Sequence, residues 1–430
     1  SSLRQIATRR SPRPLVSCAS LMAMYYGAGS GNGQGESMVE QEIAPEPPRG
    51  FDVAEFETRC AKAQAAMASS SISSLLLTTE PEIRYFSGFL TPFWQSPTRP
   101  WFLVVPASGK PVAVIPEIGR ECMAATWVED IRTWASPDPE DDGITLLGEV
   151  LREFAGRGAM IGIAKGAETH LRMPLGDFDR LVFYNDIVTI DATFILKRLR
   201  MVKSDAEIAK IRHICGIVSG VFEDMPSWLS VGMPTTAVFR RFRIEALKAG
   251  ADEVPYLVGG AGPGGYGDII SPPTDRLLAP EDVLMLDTGS VFDGYFSDFD
   301  RNYGIGTASD ESRRAYEVVF AATEAGLAMA RPDATCSDLF CAMNRVLEEG
   351  GALGSDVGRF GHGLGMQLTE WPSNTIWDET VLAPGMVITL EPGMTFAPGK
   401  MMVHEENLVI REDGAELLSR RAPPELPVAG

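Results

Sequence analysis

Blocks of helical and strand-like periodicity alternate along most of the chain. From Phe51, apolar positions in FDVAEFETRCAKAQAAMA recur at three- and four-residue spacing and predict a helix. SSLLLTT then predicts a strand, and two apolar runs around Gly109-Lys110 in WFLVVPASGKPVAVIP predict a hairpin. Helices and strands keep alternating to about Asp191, which makes residues 49–195 an α/β N-terminal domain. Ser204, with Glu207 three positions later, predicts a capping box at the start of the next helix. His213 lies on that helix and reads as a packing or surface residue. Residues 203–420 form a second domain of α+β character. It contains two helices, a strand pair (VLMLDTGSVF and YFSDFDRNY), two helices over 309–330 and 336–350, then strands carrying GHGLG, ITLEPG and VHEENLVI. A helix–helix–hairpin unit occurring twice predicts a duplicated half with pseudo-twofold symmetry.

The chemistry sits on those strands. Asp293-Gly294 is a two-residue hairpin signal. That turn sets Asp287 opposite Asp300 and Ser297 opposite Ser290, and places Asp298 on the same face, diagonal to Asp287. Three acids on one apolar-flanked face repel one another unless cations neutralise them. Asp300 could join such a site, pair with Arg301, or hydrogen-bond behind the ligands. His362 stands among Gly361, Gly363 and Gly365, where the backbone can approach a site closely. Glu391 ends an apolar strand, and alternation along VHEENLVI turns His404 and Glu406 one way and Glu405 toward solvent. Asp287, Asp298, His362, Glu391 and Glu406 thus make a ligand set for two divalent cations, with Mn, Fe, Co and Zn all compatible. Such a pair turns bound water into hydroxide near neutral pH, which points to a hydrolase using Glu391, His362 and Glu406.

Composition narrows the classes. At 430 residues, two domains are expected. A formal net charge of −20 argues against nucleic-acid or anionic-membrane partners. The six cysteines form no C-x-x-C pair, which suggests reduced thiols and a cytoplasmic protein. Residues 1–48 differ from the rest: Glu36 is the first acid, and Arg4, Arg9, Arg10 and Arg13 precede GAGSGNGQGES. They resemble a transit peptide, and Leu15-Val16-Ser17-Cys18 superficially resembles a lipoprotein box, but Pro12 and Pro14 interrupt any export helix. The reading adopted is a flexible extension ahead of a start at Met38.

PEIRYFSGF, RMVKSDAEIAKIR and the five ligand settings together resemble the pita-bread metallohydrolases (methionine aminopeptidase, aminopeptidase P, prolidase, creatinase) over about residues 50–415. The resemblance is to the branch with a creatinase-like N-terminal domain. It implies a pita-bread C-terminal fold, a homodimer, a small-molecule or dipeptide substrate, bridging roles for Asp298 and Glu406, and a water-orienting role for Glu391. It also implies a pocket bordered by the Phe93-Trp94-Gln95 segment, with Glu370 and Trp371 just after the His362 loop. Peptidases of this branch carry two further pocket histidines. The chain has only His170, His213, His362 and His404. Tyr266 or Asp268 stands near the first of those places, Thr369 at the second, and His404 where the peptidases commonly have Arg. TEWPSN is similar to dimethylsulfoniopropionate lyases of the same fold, yet Thr369 and Gly289 replace the aspartates those enzymes carry. A Xaa-Pro dipeptidase-like hydrolase is therefore the leading expectation. A lyase, an ectoine- or creatine-type solute hydrolase and an inactive pita-bread module are the alternatives.

Overall fold

The computed structural model describes residues 46–430 other than 97, 98, 157, 159 and 356. The expected N-terminal extension lies almost wholly outside the described residues. The first helix is α1 (Val53–Ser69), followed by β1 (Ser74–Leu77) and α2 (Glu80–Ser87). The expected hairpin is β2 (Phe102–Pro106) and β3 (Val112–Pro116). Then come α3 (Arg120–Ala124), β4 (Asp130–Trp134), α4 (Ile144–Ala155), β5 (Met160–Ile163), α5 (Leu175–Asn185), β6 (Val188–Asp191) and α6 (Thr193–Met201). The six strands form one mixed sheet in the order β4-β3-β2-β1-β5-β6. Its central strands β1, β2 and β3 are apolar and buried on both faces, as a sheet covered on two sides requires.

The second domain opens with α7 (Asp205–Asp224) and α8 (Thr235–Lys248). The Ser204–Glu207 capping box is formed in both directions, and the His213 ring packs edge-on against Phe292 at 4.6 Å between centroids. Strands β7 (Glu253–Pro263), β8 (Asp282–Phe292), β9 (Tyr295–Phe296) and β10 (Phe299–Ile305) follow. Asp293 and Gly294 both take positive φ (44° and 69°), the type I′ geometry that an Asp-Gly hairpin favours. The register is the one the turn predicts: Asp287 pairs with Asp300, and the Ser297 N–H donates to the Ser290 carbonyl. After α9 (Asp310–Met329) and α10 (Cys336–Glu349) come β11 (His362–Gly363), β12 (Glu370–Ser373), β13 (Val387–Leu390), β14 (Gly393–Ala397), β15 (Lys400–Val403), β16 (Glu406–Arg411) and β17 (Gly414–Leu417). They make a second sheet, β12-β11-β13-β16-β17, and a separate β14–β15 ribbon; β18 (Val428–Ala429) returns to β10. Two helix pairs, each followed by a sheet, give the duplicated pita-bread architecture. Among the described residues no helix is long and apolar enough to cross a membrane.

Two contacts fix the frame of the site. Asn407 on β16 accepts the Asp298 N–H at 2.9 Å and donates to the Asp298 carbonyl, locking the two sheets together. The Asp293 turn is held from outside by buried Arg84 of α2, at 3.1 Å, and by Lys210 of α7, at 2.7 Å.

Candidate metal centre

The hairpin β8–β10 presents Asp287 and Asp298 from one sheet, and the second sheet presents His362, Glu391 and Glu405. His362 Nε2 lies 3.4 Å from Asp298 Oδ2 and 3.9 Å from Glu391 Oε2. Ligand atoms of Asp298, His362 and Glu405 all fall within 4.8 Å of one another. The glycines are there for the close approach: a Cβ on Gly363 would stand 1.9 Å from the Trp371 carbonyl oxygen, and one on Gly361 2.1 Å from that of Thr389. His362 Nδ1 faces the carbonyl of Gly363 at 2.9 Å. That contact calls for the proton on Nδ1 and leaves the Nε2 lone pair facing the acids. Burial, against the pull of Glu391, lowers the imidazole pKa and keeps the ring neutral.

Burial is the largest cause of a raised pKa at Asp287, Asp298, Asp300, Glu391 and Glu405, and neighbouring carboxylates add to it. Glu391 and Glu405 share a carboxyl–carboxyl hydrogen bond, while Asp287 Oδ1, Asp300 Oδ1 and Glu405 Oε1 are buried without any partner. Unpaired oxygens cost several kcal/mol in a dry site, roughly 2–7 each, unless a cation takes them. The donor set fits divalent metal ions.

One expected member of the cluster lies elsewhere. Alternation predicts Glu406 at the site and Glu405 in solvent, yet both are buried, and the carboxylate that lies with Asp298 and His362 is that of Glu405. Glu406 is bound by Arg301 at 3.0 Å, Arg421 at 3.0 Å, the Ala422 N–H and the Ser419 hydroxyl. Burial would raise its pKa, but Arg301, His404 and Arg421 outweigh that and hold it down at about 2. His404 is itself pushed well below its ordinary value, by burial first and then by Arg421. The physical reason is local. β15 ends at Val403 and β16 begins at Glu406, so residues 404 and 405 belong to neither strand and a period of two cannot pass through them.

The expected substrate pocket is only partly assembled. Glu370 is buried between Arg200 and Lys203, the latter at 3.2 Å, and ties the His362 loop to the interdomain linker. His404 is enclosed by Tyr316, Phe320, Thr323 and Arg421. Trp94 packs into an aromatic cluster with Phe89 and Trp101. Tyr266 donates to Asn302, and Asp268 caps its own loop through Ile270 and Ser271. Both line a cavity of about 230 Å³ to which none of the five clustered side chains contributes. Thr369 lies nearer the cluster: it accepts from Arg359 Nη2 at 3.3 Å, and Arg359 is 3.8 Å from Glu391. Trp371 is half-buried on β12, and its carbonyl lies close against Gly363 of the His362 loop.

Two side chains were not singled out from the sequence. The Tyr256 hydroxyl, on β7, hydrogen-bonds Asp287 and is kept protonated by burial and by the surrounding carboxylates. Arg359 lies 3.8 Å from Glu391 and 3.6 Å from Glu168 of the N-terminal domain, with its side chain 28% exposed. Its place three residues before His362 was the available signal.

Acids and an imidazole converging from the two halves of a pita-bread fold define a metal-dependent hydrolase. Residues 209–412 match the metallopeptidase family M24, and residues 59–202 match the creatinase/prolidase N-terminal domain. The chain is 30% identical, over 373 residues, to a probable dipeptidase PepE of Mycobacterium tuberculosis, spanning 85% of this chain and 95% of that protein. The crystal structure of dipeptidase PepE from Mycobacterium ulcerans superposes with a TM-score of 0.77 at 28% identity, covering 88% of this chain and 99% of that one. A recombinant prolidase from Thermococcus sibiricus, at 21% identity and TM-score 0.78, covers 88% of this chain and 99% of its own and shares the fold. The chain belongs to metallopeptidase family M24, with a creatinase/prolidase-type N-terminal domain, and the family implies divalent metal ions.

Proposed function

We propose that the chain is a dipeptidase-like hydrolase that holds two divalent cations, Mn, Fe, Co or Zn, between Asp287, Asp298, His362, Glu391 and Glu405. When bound, such ions lower the pKa of water and polarise the scissile carbonyl. Glu391, partly open to the cleft and hydrogen-bonded to Glu405, takes the proton from the attacking water and returns it to the leaving nitrogen. Tyr256 gives its one hydroxyl proton to Asp287 and so holds that carboxylate in place for a cation. The observation that carries the substrate class is Arg359. This guanidinium stands at the mouth of an otherwise acidic site, and its two carboxylate neighbours lie no closer than 3.6 Å. It is set to receive the free carboxylate of a short peptide in a bidentate pair. Five free cysteines among the described residues support a cytoplasmic setting, and the homodimer rests on the family resemblance.

The test is metal removal followed by a substrate panel. Chelated and dialysed protein is expected to be inert and to regain peptide cleavage with one of the four metals. The panel includes Xaa-Pro and other dipeptides, N-acyl amino acids, ectoine, creatine and dimethylsulfoniopropionate. Release of dimethyl sulfide by metal-replete protein that leaves every peptide intact would overturn the reading.

Arg359→Gln is expected to raise KM for a dipeptide by roughly tenfold or more, the loss of a charge-assisted pair of about 1.5–3 kcal/mol. The same change should leave KM for the C-terminally amidated dipeptide nearly unaltered. Equal effects on both substrates would show that Arg359 does not read the carboxylate.

A further inference from the structure

Asp300 is the acid that the five-ligand reading leaves unexplained. It is 2% exposed and lies directly opposite Asp287 on β10, so the two side chains share one face of the sheet, with Cβ atoms roughly 4.5–5.5 Å apart. Its neighbour Arg301 attracts the carboxylate at a distance but forms no ion pair with it. That guanidinium is spent on Glu406 and on the backbone carbonyls of Asp300, Glu405 and Arg420. Among the described residues Asp300 has no ion pair. One of its carboxylate oxygens takes the backbone N–H of Glu405, and Oδ1 is buried with no hydrogen-bond partner. An unpartnered carboxylate oxygen is thus held between the backbone of one cation-site residue, Glu405, and the side chain of another, Asp287.

We infer that Asp300 is a sixth protein ligand of this centre, supplying an oxygen to a divalent cation alongside Asp287. The inference rests on the two-cation reading above and adds to it. A fifth carboxylate donor beside Asp287, Asp298, Glu391 and Glu405 raises the negative charge facing the ions, which favours tight retention of hard, oxygen-preferring cations such as Mn²⁺. It also makes the metal-free protein pay for one more repelling acid.

The experiment is equilibrium dialysis of the full chain against Mn²⁺, with bound metal quantified for wild type and Asp300→Asn. Thermal melts are run in chelator and in excess Mn²⁺. Wild type is expected to hold two ions. The asparagine variant should lose one of them or bind it at least tenfold more weakly. The melts should cross: the variant melts above wild type in chelator, where repulsion is relieved, and below it in Mn²⁺. A residue that is merely structural would not reverse the order. Superimposable isotherms, or a variant less stable in both conditions, overturn the assignment. Should the asparagine variant fail to fold, Asp300→Thr is read by the same criteria. Wild type that binds the ions but cleaves no peptide sinks the hydrolase reading alone and leaves the Asp300 comparison intact. Wild type that binds no divalent cation overturns both.

Discussion

Glu405→Gln is expected to lower divalent-cation affinity by at least about a hundredfold and to abolish hydrolysis at ordinary metal concentrations. Loss of a group that only supports a ligand already costs roughly 10–100-fold, and Glu405 faces Asp298 and His362 itself. Glutamine keeps the size and one carbonyl oxygen but removes the charge that a cation would meet. In chelator the variant should be no less stable than wild type, since the repulsion between Glu405 and its buried neighbours Asp298, Glu391 and Asp287 is relieved. Calorimetric titration with Mn²⁺ checks the first part and a urea melt in chelator the second. An unaltered Mn²⁺ isotherm would return the ligand role to Glu406.

The adjacent substitution should do the opposite. Glu406→Gln removes the charge shared by Arg301 and Arg421 in a fully buried setting, and breaking one side of such a pair costs about 3–5 kcal/mol. The loss should appear equally with and without metal, as a lower urea midpoint. The pH dependence has a definite sign. The folded carboxyl is held at about 2 against an ordinary 4.5, so its contribution is complete above the ordinary value and vanishes as the pH drops toward 2. Wild type should lose stability relative to the glutamine variant across that window. Parallel curves through acid would mean that the arginines do not depend on Glu406.

This pair of neighbours marks where the sequence stops being readable. The Asp-Gly turn carries its own dihedral requirement, so the register of Asp287, Asp298 and Asp300 follows from local chemistry alone. The same holds for the Ser204 capping box and for the helices over 310–329 and 336–349, whose periodicity and caps are local. Glu405 and Glu406 fall where one strand hands over to another, and no periodicity spans that joint. Glu370 looked like a pocket acid because it adjoins Thr369 and Trp371. Its partners, Arg200 and Lys203, lie 170 and 167 positions away, and only tertiary packing brings them in. His404 follows the same pattern, since Thr323 and Arg421 that enclose it come from α9 and the C-terminal segment. The ligand types were legible because metal chemistry restricts them to a few residues. The substrate mouth was not, because Arg359 matters only through what it faces.

The grip of Arg84 and Lys210 on the Asp293 turn has a consequence for how the molecule comes apart. The loop that sets the aspartate register is anchored by a guanidinium from the other domain, and Gly294 leaves no room there for a side chain. Deleting the first domain would leave that aspartate with Lys210 alone and loosen the hairpin at its tip. Denaturation of the two halves is therefore expected to be coupled through this contact, and a truncated catalytic fragment is expected to melt below the full chain.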